Sequence, residues 1–548
     1  MSASGAISSD PAGAAGNYWG SKNRTHLYYL LGALLLGLLV RVPGVFWGHN
    51  FPTGWYGHHV DEYTHLVNAE TLINPLLPPR WPPHPYPKGM AAHVAVPTLG
   101  VRALEGELFK EPPPPVAIIT AGRVVSVLYG TATILIVFLF AGRLFRDSRV
   151  APAAAWIFAL GGLHVSQSHY FLSDVPALFW FLLGSYLLLL DAEVPEQSDA
   201  KNLWWAAFCF GAAFGLKMVV FGLPSLGLIA LLRQPRLLRA VHAGVFFLAG
   251  FVVINFGSYT PYDLFRTFAR GVSDPYQFSF LNNLFLYFIE LPSIVSLPVA
   301  VLCIVGSYFL VRKLFGLSDH ARRRAIWIVI ALPLLINIAF VIFKLDHFPR
   351  HMVPFIPWIS VVAAWSLVAA GNRLRSLGWH PALVVIPLFA YLAFFVYDGE
   401  RVFLNEPRNR AARWLQENVV PGTAISWFGK DWMKDYEHVE FPNLGRPPVV
   451  VIEMHHANHY LSGMSWKNSF PEDYRFIFAS RSQAWVEARQ SLFRGTSEYK
   501  EVARFSEGYF MPEYVLTDRL IGNRSRNYVA EIVIFAKEAG EPVQAGQP

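Results

Sequence analysis

The stretch AGRVVSVLYGTATILIVFLFAGRLF, residues 121–145, decides the broad fold of this chain. Between Arg123 and Arg143 it contains no charged residue. A helix needs about 20 apolar residues to cross the hydrocarbon core of a bilayer. The stretch therefore predicts a membrane-spanning helix, and the same test can be applied to the rest of the chain.

Eleven segments are candidate spans by this test, although Lys217, Gly222 and Pro224 interrupt the pair around 203–232. They lie near residues 27–47, 117–141, 150–167, 171–190, 203–218, 219–232, 240–257, 291–311, 325–343, 352–370 and 381–397.

Charge is distributed unevenly along the chain. Residues 1–397 contain 45 charged side chains, whereas the much shorter stretch 398–548 contains 38, a density that is usual for soluble domains. We therefore predict an α-helical polytopic membrane protein with about 11 transmembrane helices and a C-terminal soluble α/β domain over 398–548. Residues 1–26 are predicted to be a disordered cytoplasmic tail.

The C-terminal stretch has its own pattern of helices and strands. The segment RNRAARWLQENV has helical periodicity, and VPGT ends it. Short β-rich runs predict strands after this helix. They are PPVVVIEM, YRFIFAS, PEYVLT and YVAEIVIFA.

Basic residues predict the orientation of the spans. With the N-terminus inside, the inner side receives 16 of the 27 basic residues that precede position 398, nearly all of them in short loops. An odd number of spans then places the C-terminal domain outside the cytoplasm. The protein is accordingly predicted to be an integral multi-pass membrane protein.

The first outer segment, residues 48–116, is too long for a simple connection and is expected to be functional. It contains a predicted helix, DEYTHLVNAETLI, with Asp61 and Glu62 at its start. Adjacent carboxylates can act as a general base and its partner, but they also favour a helix N-terminus electrostatically. His58, His59 and Asp61 are weak candidates for a metal site, so a divalent cation stays open as a cofactor.

Other ionisable residues lie in the first outer loop and in the outer parts of the predicted spans, with Lys217 deeper in its span. Charges at a membrane are costly and often functional, and cations there suit an anionic group such as a phosphate. Each residue also has an alternative role outside any functional site. The alternatives are a lysine that is solvated in a loop, an arginine that snorkels to the interface, an aspartate that is an N-cap, and residues that anchor helix ends. The candidates are Lys88, Arg123, Asp174, Lys217, Arg350 and His351.

Several stretches in this order resemble the C-type membrane glycosyltransferases that use polyprenyl-phosphate sugars, and in particular the protein O-mannosyltransferase and aminoarabinose transferase branch. The stretches that resemble this branch are HHVDEYTHL, AGRVVSVLYGTATILIVFLFAGRLF, APAAAWIFALGGLHVSQSHYFLSDVPALFWFLLGSYLL, HFPRHMVPFIPWISVVAAW and NEPRNRAARWLQENVVPGT. The chain departs from the branch at Val60, where many relatives have proline, at Gly89 after Lys88, and at His351, where an aromatic residue is common.

The resemblance, in its bacterial form, implies transfer of a sugar from a polyprenyl phosphate at the outer face of a bacterial plasma membrane. Direct attack by an acceptor hydroxyl in one step would invert the anomeric centre. The resemblance also implies Asp61 as catalytic base, Glu62 as the second acid, and Lys88 and Arg123 as contacts for the donor phosphate. Partners would be the lipid-linked sugar, an acceptor protein, lipid or glycan, and the bilayer, with no nucleic acid. A transporter and a non-catalytic envelope assembly protein are the alternatives.

Overall fold

A computed structural model of the chain was used. It describes residues 23–47, 60–74, 87–105, 113–145, 147–192, 201–217, 237–256, 280–315, 335, 338, 349–428, 437–438, 448–453, 491–492, 494–521 and 532–537.

Most of the described chain before position 424 is helical. In chain order, the helices are α1 Asn23–Leu39, α2 Val60–Ile73, α3 Gly89–Leu104, α4 Pro115–Phe145, α5 Val150–Ala159, α6 Gly162–Gln167, α7 Asp174–Ala192, α8 Lys201–Leu216, α9 Leu237–Ile254, α10 Phe280–Val295, α11 Leu297–Phe315, α12 Ile356–Ser376, α13 Ala382–Leu404 and α14 Pro407–Asn418, with 3-10 helices at Val42–Phe46 and Pro349–Phe355.

Five described helical segments are long and apolar enough to cross a bilayer, and a bent pair of helices would make six. The five are Arg24–Phe46, Pro115–Phe145, Asp174–Asp191, Arg350–Ser376 and Ala382–Asn418. These segments fit a polytopic membrane protein. The predicted spans 219–232 and 325–343 lie in stretches that the structure leaves almost wholly undescribed, so the count of eleven stays a prediction.

Two predicted spans are not single straight helices. The segment 150–167 is divided into α5 and α6 because Gly161 adopts an extended conformation between them. The segment 291–311 bends by 116° between α10 and α11. There Ser296 lies in the left-handed region at φ 80°, and the next helix begins at Leu297. Sequence hydropathy cannot show such breaks because it registers composition and not backbone direction.

The first outer segment is more helical than the sequence indicated. The predicted helix at Asp61 is confirmed as α2, which begins one residue earlier. Helix α3 was not predicted. It begins directly after Lys88 and tolerates Pro97 in its interior. The Pro-rich residues 75–86 between these two helices lie outside the described part of the chain.

The described residues after α14 include a five-stranded sheet. The strands are β1 Ala424–Phe428, β2 Glu437–His438, β3 Val449–Glu453, β4 Tyr499–Phe505 and β5 Ile532–Lys537, in the spatial order β2-β1-β3-β5-β4. Strand β1 is parallel to both of its neighbours, whereas β5 is antiparallel to β3 and β4. The apolar side of α14 covers the sheet through Ala411 and Leu415.

The predicted strands PPVVVIEM and YVAEIVIFA are confirmed as β3 and β5. The run YRFIFAS lies outside the described residues. The prediction of a strand at PEYVLT is wrong, because these residues open helix α15, Pro512–Ile521. Proline suits the first helical position, where its missing N–H is not needed.

Helix α15 joins the C-terminal region to the preceding helices. Asp398 of α13 accepts hydrogen bonds from the backbone N–H groups of Phe510 and Met511, both at 2.8 Å, just before α15 begins. Glu513 of α15 in turn accepts from the backbone N–H of Leu297 at 2.9 Å, at the first residue of α11. Each carboxylate therefore satisfies donors at the start of another helix, which otherwise have no partner within that helix.

Candidate functional site

A buried ion pair connects the first outer segment to the bundle. Arg123 Nε donates to Glu62 Oε1 at 2.8 Å, and Arg123 Nη2 donates to Glu62 Oε2 at 2.9 Å. Both side chains are fully buried. A bidentate contact of this kind fixes direction as well as distance. Arg123 therefore does not snorkel to an interface, and the start of α2 is fastened to α4.

Two main-chain segments complete this ion pair. The backbone N–H of Phe171 donates to Glu62 Oε1 at 2.9 Å, and Arg123 Nη1 donates to the carbonyl of Trp47. The Arg123 guanidinium also lies 5.5 Å from the centre of the Trp47 ring. The pair thus joins four parts of the chain that are far apart in sequence. These parts are the end of the first span, α2, α4 and the connection before α7.

Asp61 directly precedes Glu62 in the first turn of α2. The contacts of Glu62 hold this turn of the helix against the bundle. The weak metal candidates His58 and His59 lie outside the described residues. Among the residues that are described, no three His, Cys, Asp or Glu side chains are grouped to hold a metal ion.

A second ion pair lies where three helix ends meet. Asp174, the first residue of α7, contacts Lys217 Nζ directly after α8. Its partner Lys217 keeps 21% of its side chain exposed. The start of α3 packs against the same end of α8, because a Cβ on Gly89 would lie 3.0 Å from the carbonyl oxygen of Gly215.

We call this meeting point the lysine junction, formed by residues 88–89, 174 and 215–217. It contains the ion pair of Asp174 with Lys217, and the backbone contact of Gly89 places the residue after Lys88 against the end of α8. Lys88 is half-buried there. The junction is also close to the Glu62 pair, because Asp174 is only three positions after Phe171, a reach of at most about 11 Å.

Arg350 and His351 occupy another part of the bundle. They lie in the 3-10 helix Pro349–Phe355, which leads into α12. His351 is buried, and its Nδ1 lies 3.4 Å from the hydroxyl of Tyr287 in α10. Arg350 is half-buried. The role of Arg350 and His351 in phosphate binding remains a prediction.

Sequence reasoning missed a further buried polar network. Arg41 is fully buried, and it donates to Nδ1 of His164 at 2.9 Å and to the carbonyl of Ala159 at 3.1 Å. His169 Nε2 lies 3.5 Å from a carboxylate oxygen of Glu400. The available signal was the presence of charged residues at the edges of apolar runs, which the membrane environment makes costly.

A family model described as dolichyl-phosphate-mannose-protein mannosyltransferase matches residues 116–239, a stretch that contains Arg123, Asp174 and Lys217. Curated relatives include two proteins named undecaprenyl phosphate-alpha-4-amino-4-deoxy-L-arabinose arabinosyl transferase, from Pseudomonas aeruginosa strains LESB58 and UCBPP-PA14. They are 28% identical over 294 residues and 26% identical over 293 residues. Each alignment covers 49% of this chain and 51% of the relative, so the chain spans about half the length of the curated relatives it matches.

Two solved structures are similar over most of the chain. One is the archaeal oligosaccharyltransferase AglB from Archaeoglobus fulgidus, in complex with an inhibitory peptide and a dolichol-phosphate. Its TM-score is 0.48 at 11% identity, and the alignment covers 94% of this chain and 89% of the AglB chain. ArnT from Cupriavidus metallidurans, bound to undecaprenyl phosphate, has a TM-score of 0.44 at 14% identity, with 81% and 95% covered. At these TM-scores neither structure supports an inference about the site. The family model and the curated relatives confirm the predicted resemblance to glycosyltransferases that use polyprenyl-phosphate sugars.

Proposed function

We propose that this chain is an inverting glycosyltransferase that moves a sugar from a polyprenyl phosphate to an acceptor hydroxyl at the extracytoplasmic membrane face. The observation that supports this most strongly is the lysine junction. Lys217 contacts the Asp174 carboxylate there, and Lys88 directly precedes Gly89, where α3 begins against the same end of α8. Asp61 lies at the start of α2, which the neighbouring Glu62 ties to the connection before α7. A lipid phosphate needs fixed cations, and an acceptor hydroxyl needs a base.

The transfer is a single displacement. The acceptor oxygen forms a bond to the anomeric carbon, and its proton passes to the Asp61 carboxylate. The bond from the anomeric carbon to the phosphate oxygen breaks, and the polyprenyl phosphate leaves with that electron pair. Attack from the face opposite the leaving group inverts the anomeric centre, by the geometric logic of inverting hydrolases. Lys88 and Lys217 stabilise the charge that develops on the departing phosphate.

Glu62 and Arg123 receive a different role in this proposal from the one that the resemblance implied. Their charges are directed at each other in a fully buried pair. We therefore assign them the positioning of α2, which sets where Asp61 stands relative to the lysine junction.

Lys88→Ala is expected to weaken binding of undecaprenyl phosphate by about 10- to 100-fold, because a hydrogen bond to a charged group is worth about 1.5–3 kcal/mol. Native mass spectrometry of the purified protein over a lipid titration measures this. Lys201→Ala is the matched control, because Lys201 stands at the far end of α8, about 24 Å from Lys217. Equal lipid binding by wild type and Lys88→Ala would remove the lysine junction as the donor site.

The proposed topology places the N-terminus in the cytoplasm and the sheet region outside it. A peptide tag after residue 548 is expected to be accessible to a membrane-impermeant reagent in intact spheroplasts, whereas the same tag before residue 1 is expected to be protected. Labelling of each tag before and after lysis measures this. Protection of the C-terminal tag until lysis would contradict an odd number of spans and the outer location of the lysine junction.

A further inference from the structure

We propose that His93 is a positioning residue for the donor site, which holds the main chain at Lys88 in place through a hydrogen-bond chain across three helices. The inference rests on the proposed function, since it assigns Lys88 to the donor phosphate. His93 was not among the residues that the sequence singled out, and the transfer step itself does not use it.

The direction of each hydrogen bond in this series follows from which atoms can donate and which can only accept. His93 Nδ1 lies 2.6 Å from the carbonyl oxygen of Gly89, which can only accept, so Nδ1 carries the hydrogen. In a neutral imidazole Nε2 is then an acceptor, and the Tyr129 hydroxyl lies 2.9 Å from it. Trp180 Nε1, which can only donate, lies 3.2 Å from the Tyr129 oxygen. Trp180 therefore donates to Tyr129, which donates to His93, which donates to Gly89.

These hydrogen bonds require a neutral His93 imidazole, and the surroundings of the ring favour that form. His93 is half-buried on α3. Burial lowers the pKa of the His93 imidazole below its ordinary value of 6.5, although the Gly89 carbonyl partly offsets this. At pH 7 the ring is thus neutral, and its Nε2 lone pair is available to Tyr129. The ring also packs edge-on against Tyr129, with 5.5 Å between ring centres.

The series of hydrogen bonds ends at Gly89, the residue that follows Lys88. Gly89 is held from one side by His93 through its carbonyl, and from the other side by the packing of its Cα against Gly215. Tyr129 belongs to α4 and Trp180 to α7, the helix that begins with Asp174. The hydrogen bonds thereby fix the start of α3 relative to α7, which begins with Asp174.

Lys88 and His93 therefore have different roles at the lysine junction. Lys88 supplies the charge, and His93 determines where the charge stands. Loss of His93 leaves the lysine in the protein but lets the first turn of α3 move. Loss of His93 should therefore weaken donor binding only as long as Lys88 is present.

The test uses the full-length protein with undecaprenyl phosphate as the probe in native mass spectrometry, together with transfer kinetics. His93→Phe keeps a ring and removes both hydrogen bonds. Tyr129→Phe removes only the hydroxyl. Each variant is expected to weaken lipid binding and raise the donor KM by about 10-fold, as expected for one to two hydrogen bonds, with kcat changed by less than about 2-fold.

Two comparisons separate positioning from a general loss of structure. His93→Gln, whose amide can accept from Tyr129, is expected to recover binding to within about 3-fold of wild type. In a Lys88→Ala background, His93→Phe is expected to have no further effect on binding. Even if His93→Phe failed to fold, Tyr129→Phe in both backgrounds would still provide the comparison.

The outcomes distinguish this inference from the proposed function. Wild-type protein that binds no undecaprenyl phosphate would overturn both. Normal wild-type binding that Lys88→Ala weakens and His93→Phe and Tyr129→Phe leave intact would overturn only the role of His93. An equal loss from His93→Phe with and without Lys88 would also overturn it, because His93 would then act on something other than Lys88.

Discussion

Asp61→Asn is expected to abolish sugar transfer while the protein still folds and still binds its lipid donor. Asparagine has nearly the size of aspartate but cannot take a proton from the acceptor hydroxyl, and a positioned general base contributes about 10²- to 10⁴-fold to a rate. The fold should survive because α2 is anchored by the neighbouring Glu62, whose contacts reach both α4 and the connection before α7. The measurement is turnover of a polyprenyl-phosphate sugar under saturating donor.

Glu70→Gln is the matched control for Asp61→Asn. Glu70 is a carboxylate on the same helix, about 13 Å further along its axis, so it tests the effect of removing one negative charge from α2. We expect near-normal transfer by this variant. If Asp61→Asn kept more than about a tenth of wild-type activity, Asp61 could not be the base, since the smallest expected effect is about 100-fold.

The sequence predicted the local features around this site well. Helix α2 begins within one residue of its predicted start, because apolar residues at helical spacing follow an acidic first turn. The charged candidates were each identifiable by their place in the sequence: Lys88 in the first outer loop, Asp174 at the outer start of a predicted span, and Lys217 inside an apolar segment. What they share, the lysine junction, was not identifiable from the sequence. It depends on how helix ends meet, and above all on the close approach of Gly89 to Gly215.

Long-range pairing was the main limit. Glu62 and Arg123 are 61 positions apart, and each has a reasonable separate role when considered alone. The sequence accordingly offered one as an acid and the other as a phosphate contact, whereas the structure directs them at each other. His93 escaped notice for the same reason. A single histidine on an apolar helix acquires meaning only when Tyr129 and Trp180 are placed beside it.

Backbone direction was the second limit. Strand β3 was predictable because its residues are nearly all β-branched and apolar. PEYVLT has a similar composition over its last residues, yet it folds as the start of α15. Its helical form is stabilised by tertiary contacts, since Glu513 accepts from Leu297 and from the Tyr391 hydroxyl, the latter at 2.6 Å. Local propensity could not anticipate partners more than 100 residues away.

The second large effect concerns the buried pair that positions α2. Arg123→Ala is expected to destabilise the protein by about 3–5 kcal/mol, because it leaves the Glu62 carboxylate buried without its partner. Thermal unfolding in detergent measures this. Arg149→Ala is the matched control, since Arg149 pairs with Asp147 while 46% of its own side chain stays exposed, and exposed pairs contribute at most about 1 kcal/mol. A loss for Arg123→Ala as small as the loss for Arg149→Ala would contradict the structural role of the pair.

A double variant separates stability from positioning. Glu62→Leu combined with Arg123→Met removes both charges and keeps apolar volume, and such replacements of buried pairs are often neutral or stabilising. We therefore expect this variant to unfold near the wild-type temperature. Transfer should nevertheless remain impaired, because the two directed hydrogen bonds that orient the first turn of α2 are gone, and a displacement of about 1 Å near a reacting group can cost about 100-fold in rate. Full activity in the stable double variant would show that the position of Asp61 does not depend on the pair, and would leave Glu62 and Arg123 with a role in stability alone.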